Sequence, residues 1–172
     1  MKYLFGLLML VSLMTACKKD AFQSDFRKSR DAWQDFKKAS NNSYSYTVTS
    51  GSWAGFGSST QITVENGIVA GRDFTSYTVD GQTGERTVRE TWSESAGSLN
   101  SHSGGAAAIT MDAVYEMAAT VWLKADVKQN TVYFETKNNG MISTCGYVPV
   151  GCMDDCFTGI YIAEISPKMS LN

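Results

Sequence analysis

The order of periodic segments predicts an α+β domain: a single antiparallel sheet of about six or seven strands, packed by an N-terminal helix and one mid-chain helix. Three observations carry this. Apolar side chains recur at helical spacing in two stretches, one of about fifteen residues starting at Ser24 and one over Met111–Leu123. Seven other segments read as strands, four of them by alternation of apolar and polar residues. Short turns such as Asn66-Gly67, Asp80-Gly81 and Asn138-Asn139-Gly140 join most of those segments, which favours pairing between chain neighbours.

The first helix is capped by Ser24, and Asp25 suits its positive N-terminal dipole. Phe26, Trp33 and Phe36 fall on one face, with Ser29 and Arg30 in the missing turn, and the helix ends near Asn41-Asn42. Tyr44, Tyr46 and Val48 alternate with Ser45, Thr47 and Thr49 in the first strand. Ser50 to Ser59 reads as a Gly/Ser loop carrying Trp53 and Phe56. Ile62 and Val64 lie on the next strand, and the Asn66-Gly67 turn predicts that Val64 pairs with Val69. That third strand runs to Val79, and a more polar fourth strand, with Val88 and Trp92, suits an edge. Residues 94–109 are Ser, Gly and Ala with almost no apolar bulk, and read as one long mobile loop. Thr110 caps the second helix, whose predicted stripe is Val114, Met117, Ala118 and Val121, with Trp122 at its edge. Strands over Thr131–Glu135 and Met141–Cys145 follow. A last strand, Phe157–Ile165, is apolar on both faces and therefore central.

The N-terminus precedes all of this. Lys2 is followed by an apolar stretch from Tyr3 to Met14 and then Thr15-Ala16-Cys17. Twelve helical residues reach about 18 Å, short of the roughly 30 Å hydrocarbon core, so the stretch reads as a signal-peptide core rather than a membrane span. Leu13 to Cys17 resembles a bacterial lipobox. The resemblance implies removal of residues 1–16, lipid on Cys17 and a cell-envelope location. Residues 17–23 then form a lipidated tether and 24–172 a single domain. The Lys after the cysteine points to the outer membrane, with periplasmic and surface-facing orientations both open. The membrane is thus the first partner, through Cys17. Without the leader the chain keeps 14 basic against 17 acidic side chains, a net charge of −3 that offers no pull toward nucleic acid.

Three cysteines remain in an oxidising compartment: Cys145, Cys152 and Cys156. Three pairings are open, and Cys145–Cys156 is favoured because the two flank an expected hairpin loop.

A helix with Trp33, a Tyr44-Ser45-Tyr46 strand, the Asn66-Gly67 hairpin, the Met111–Leu123 helix, the Val132-Tyr133-Phe134 strand and a terminal strand at Tyr161–Ile165 near Asp154-Asp155 form a sequence of motifs over roughly 30–166. It resembles a bacterial domain family of unknown function found in secreted proteins and lipoproteins. The resemblance implies no activity.

The chemistry-bearing residues are sparse. His102 is the single histidine and sits in the Ser/Gly loop, where neither a rigid base nor an orienting acid is expected. One histidine also argues against a His-rich metal site, and no cofactor is expected. Asp154 and Asp155 fall far short of a calcium loop and read as a solvated turn. Glu65, Glu85, Glu90, Glu94, Asp73 and Asp80 are expected on solvated strand faces. Trp53 and Phe56 form the candidate binding loop: aromatics among glycines either stack on a ligand or fold back on the core. The expected role is a non-catalytic accessory or binding domain with a protein or glycan partner. A small hydrolase using carboxylates and an inhibitor acting through the Trp53/Phe56 loop are the alternatives.

The lipid anchor has a direct test. Cys17→Ser is expected to abolish labelling by an alkyne fatty acid and to release the protein from membranes. Retained labelling would place the lipid elsewhere.

Overall fold

Two strands near the middle of the sheet, those beginning at Tyr44 and Phe56, carry mostly apolar side chains on one face and Ser, Thr or Gln on the other, and this asymmetry sets the architecture. A computed structural model describes residues 22–168. The leader, Cys17 and most of the expected tether lie outside the described residues. Helix α1 covers 22–39. It is followed by β1 (Tyr44–Gly51), β2 (Phe56–Glu65), β3 (Ile68–Val79), β4 (Arg86–Ser95), α2 (Met111–Thr120), a 3-10 turn (Trp122–Lys124), β5 (Asn130–Glu135), β6 (Thr144–Pro149) and β7 (Thr158–Pro167). The strands form a seven-stranded sheet in the order β4-β3-β2-β1-β7-β6-β5, with every neighbouring pair antiparallel. The fold is the predicted α+β one. β4 lies at one edge, and β7 runs between β1 and β6.

Register explains which side chains meet. One rung crosses the sheet through Ile165, Tyr46, Ile62, Arg72 and Glu94; the next passes through Ile162, Val48, Thr60, Phe74 and Trp92. Both face the helices. The intervening rung of Thr47, Gln61, Asp73 and Ser93 faces away. Asn66 and Gly67 adopt φ of 51° and 82°, the left-handed pair that a two-residue hairpin needs, and Val64 pairs with Val69 as predicted.

Several boundaries move. Phe22 and Gln23 are already helical, so Ser24 lies inside α1 rather than capping it. The Trp53 loop shrinks to 52–55 because β1 and β2 pair out to Gly51 and Gly57, which puts Phe56 on a strand. β6 begins at Thr144, later than expected, because Asn138 and Met141 close a tight turn and Asn138 Nδ2 donates to the carbonyls of Ile142 and Ile162. The buried stripe of α2 is Met111, Val114, Tyr115 and Ala118, whereas Met117 and Val121 are exposed. The stripe is rotated because Tyr115 carries a hydroxyl that finds partners inside.

Three buried tyrosines tie the helices to the sheet. The Tyr115 hydroxyl bonds Ser29 Oγ at 2.9 Å, donates to the Ser29 carbonyl at 3.0 Å and accepts from the Ile142 N–H at 3.2 Å. Tyr44 accepts from the Met111 N–H at 3.0 Å, satisfying a free donor in the first turn of α2. Tyr46 donates to the Ile109 carbonyl at 2.6 Å. Burial pushes the Tyr44 hydroxyl up to about 12, so it stays a neutral donor and acceptor. Trp33 is fully buried, stands edge-on to Tyr44 and donates to Asp112 at 2.9 Å, while Lys37 holds the other Asp112 oxygen at 2.6 Å. The predicted α1 face of Phe26, Trp33 and Phe36 is therefore the packed one, with small Ser29 buried between.

Tyr115→Phe removes one hydroxyl but leaves the Ile142 N–H and Ser29 buried without it. Urea unfolding is expected to show a loss of about 1–3 kcal/mol. A loss below about 0.5 kcal/mol would mean that water replaces the hydroxyl.

Candidate functional site

The sheet splits at one end. β1 and β7 pair from Tyr44–Pro167 to Thr47–Glu164, then shift register so that Val48 meets Ile162. Ala163 is the extra residue, and such a bulge bends and twists its strand. Beyond it the pairing stops. Thr49–Gly51 pair with β2 alone, and Thr158–Tyr161 pair with β6 alone. A cleft of about 670 Å³ lies at this fork, within the roughly 300–1,000 Å³ common for ligand sites. Val48 and Thr60 line it from β1 and β2, Val148 and Ile160 from β6 and β7, and Ile109 and Trp122 from the helical side.

The β1–β2 and β6–β7 loops meet at the open end of the fork. Trp53 Nε1 donates to Asp154 Oδ1 at 3.1 Å, linking the two sequence-predicted loops. Trp53 is 83% exposed, Phe56 62% and Met153 98%, so these side chains do not fold back onto the core. Asp154 lies below the usual carboxylate range, first because it accepts the Asp155 N–H and then because of Trp53. Asp154 and Asp155 are the only charged side chains among the described residues that line the cleft.

The disulfide that shapes this loop is Cys152–Cys156, four residues apart, with a Cα–Cα distance of 6.4 Å. It replaces the favoured Cys145–Cys156 pairing. Cys145 lies opposite Ile160 and Phe134 on the helix-facing side of β6, fully buried in the core, and its thiol is pushed up to about 12 by burial. Side-chain direction on the strand, rather than distance along the chain, excludes it.

The Ser/Gly segment forms the cleft's remaining wall and is not a free loop. Arg72 and Glu94 face each other across β3 and β4 with side chains only 4% and 0% exposed. Arg72 Nε and Nη2 donate to both Glu94 oxygens at 2.9 Å, a bidentate pair. Two further Arg72 donors, one on Nη1 and one on Nη2, reach the carbonyls of Ala106 and His102 at 2.9 and 2.8 Å. Glu94 in turn accepts the N–H groups of Asn100 and His102 at 2.8 and 2.7 Å. The chain over 100–106 is thus held by both members of one ion pair. Arg72 also lies 4.7 Å over the Trp92 ring, which stacks between Phe74 and His102. Gly105, at φ 77°, fits where a Cβ would come within 3.0 Å of Phe74 and Thr60, which accounts for the missing bulk. Small residues let this segment lie flat on the sheet.

The sequence-predicted residues therefore sort into three places. Trp53, Asp154 and Asp155 meet at the mouth of the fork, with Phe56 on the β2 strand beside it. Glu94 is buried, contrary to the solvated placement expected for it, while Glu65, Glu85, Glu90, Asp73 and Asp80 are exposed on dispersed positions. His102 does have an orienting acid, with Nδ1 3.1 Å from Glu94, but that carboxylate is already engaged by Arg72, and the ring is clamped on Trp92 away from the cleft. Arg72 was missed. Its signal was phase: Arg72 shares the inward face with Phe74, as Glu94 does with Trp92. No known protein family, curated protein or solved structure was found to match the chain.

The Arg72 guanidinium holds the Glu94 carboxyl well below the usual carboxylate range, against the opposing effect of burial, with the His102 and Asn100 N–H groups adding to it. A depressed folded-state value means that this stability is fully present above the ordinary 4.5 and is lost as pH falls below it. Glu94→Gln is therefore expected to lower Tm by about 10 °C at pH 7, and by clearly less near pH 3. Parallel thermal melts at the two pH values check this; an equal deficit at both would remove the ionised pair from the account.

Proposed function

We propose that this chain is a non-catalytic binding domain of the bacterial cell envelope, carried at the outer membrane by lipid on Cys17 and taking its ligand in the cleft between β1 and β7. The observation that carries the reading is the fork: a lined opening inside a sheet, with exposed Trp53 bonded to the lining Asp154 at its rim and exposed Phe56 two residues along β2 from the lining Ser58. Exposed aromatics beside a cleft suit recognition, because rigid rings contribute contact area at low entropic cost. A glycan or a protein partner would meet this rim first. The carboxylates needed for a hydrolase give less support. Glu94 is engaged by Arg72, and Glu65, Glu85, Glu90, Asp73 and Asp80 are dispersed on exposed strand and turn positions. The two in the cleft, Asp154 and Asp155, are chain neighbours on one loop rather than a pair opposed across it.

NMR titration with a library of fragments, oligosaccharides and short peptides tests the reading. Ligands are expected to shift the amides of Val48–Gly51 and Gly159–Tyr161, and Trp53→Ala is expected to weaken them about tenfold without lowering Tm. Shifts confined to other surfaces, or unchanged affinity in Trp53→Ala, would count against it.

A further inference from the structure

Resting on that binding reading, we infer that the occupant of the cleft is an extended basic peptide segment, inserted as an added strand between β1 and β7. The fork leaves two strand edges facing one opening: Thr49–Gly51 on one side and Thr158–Tyr161 on the other, each paired on its far side alone. Edge strands present rows of backbone donors and acceptors, and an extended peptide is the ligand that satisfies them in series. β1 and β7 are antiparallel, so the inserted segment runs parallel to one and antiparallel to the other, both of which a sheet accommodates.

Side chains of such a segment alternate between faces. Those turned toward the helices meet Ile109, Met117 and Trp122, an apolar lining that suits an apolar residue at every second position. Charge supplies the second requirement. Asp154 and Asp155 stand at the mouth with no cation among the other described lining residues, so a Lys or Arg is favoured where the segment passes them. The exposed Trp53 ring, held beside Asp154 at the open end of the fork, gives a segment longer than the fork a surface to pack against.

The test is selection from a bead-bound degenerate nonapeptide library, using the full chain carrying Cys17→Ser. Selected peptides are expected to be rich in Lys or Arg and to alternate with apolar residues. On binding, hydrogen exchange should slow at Thr49–Gly51 and Thr158–Tyr161. N-methylation at alternate peptide residues should weaken binding at least about tenfold, because main-chain bonds supply the affinity. Asp155→Asn, an exposed change that leaves the fold alone, should weaken binding severalfold and flatten its salt dependence. Selected peptides that are acidic, that tolerate N-methylation, or that protect the β4 edge instead would overturn the inference. If oligosaccharides or fragments fill the cleft and no peptide does, the peptide inference falls and the binding reading stands. If nothing shifts the cleft amides, both fall.

Discussion

The buried Arg72–Glu94 pair is the constraint on which the rest of the architecture depends. α1 and the ten-residue α2 are too little helix to cover one face of seven strands. Their tyrosine and Trp33 contacts bind them to the centre of the sheet at Tyr44 and Tyr46 and to the turn at Ile142 before β6. The β3–β4 end is left with Phe74 and Trp92 on the helix side of the sheet but with no helix over them, and the segment after β4 must serve as the missing cover. A chain of Ser, Gly and Ala has little apolar surface of its own to hold it there. Two charged side chains do so instead, because between them they satisfy backbone groups at Asn100, His102 and Ala106. An ion pair that is nearly dry rarely stabilises more than an apolar pair would, but it is specific in geometry. Here it sets where one loop lies.

That placement also shapes the cleft. The pinned segment continues through Ala106 to Ile109, where the Tyr46 hydroxyl takes the Ile109 carbonyl, and then into the Thr110 cap of α2. Gly105, Ala106, Ala107 and Ile109 line the helical side of the fork, and the bulge at Ala163 opens the sheet beneath them. The fork is therefore bounded by three devices from distant parts of the chain: an ion pair, a bulge and a short disulfide loop. The outward face of the sheet, lined by Thr47, Gln61, Asp73 and Ser93, takes no part in it.

Most of the fold was legible in local signals, since helix spacing, strand alternation and the Asn66-Gly67 turn each act over a few residues. The order of elements and the edge position of β4 followed from them. The helix stripe was misread at Met117 because periodicity treats Tyr115 as amphipathic, whereas its hydroxyl is satisfied only by Ser29 and Ile142, which are remote in sequence. The disulfide was misread because pairing depends on which face Cys145 occupies, and that depends on the β6–β7 register. Of the candidate site, Trp53, Phe56 and Asp154 were visible as residues. The meeting of Trp53 with Asp154 was not, because it arises where two hairpins separated by about a hundred positions lie side by side. The segment over 94–109 was the largest misreading: low complexity was taken for freedom, while the inward phase of Arg72 and Glu94 pointed to an anchor.

Native-state hydrogen exchange at the Asn100, His102 and Ala106 amides tests this most directly. If the ion pair makes the segment part of the sheet's cover, these amides should exchange only through large-scale opening, with protection approaching that of Ile62 and Val64 in β2. Exchange near the rate of an unstructured chain, with β2 still protected, would contradict the account and remove one wall of the proposed binding cleft.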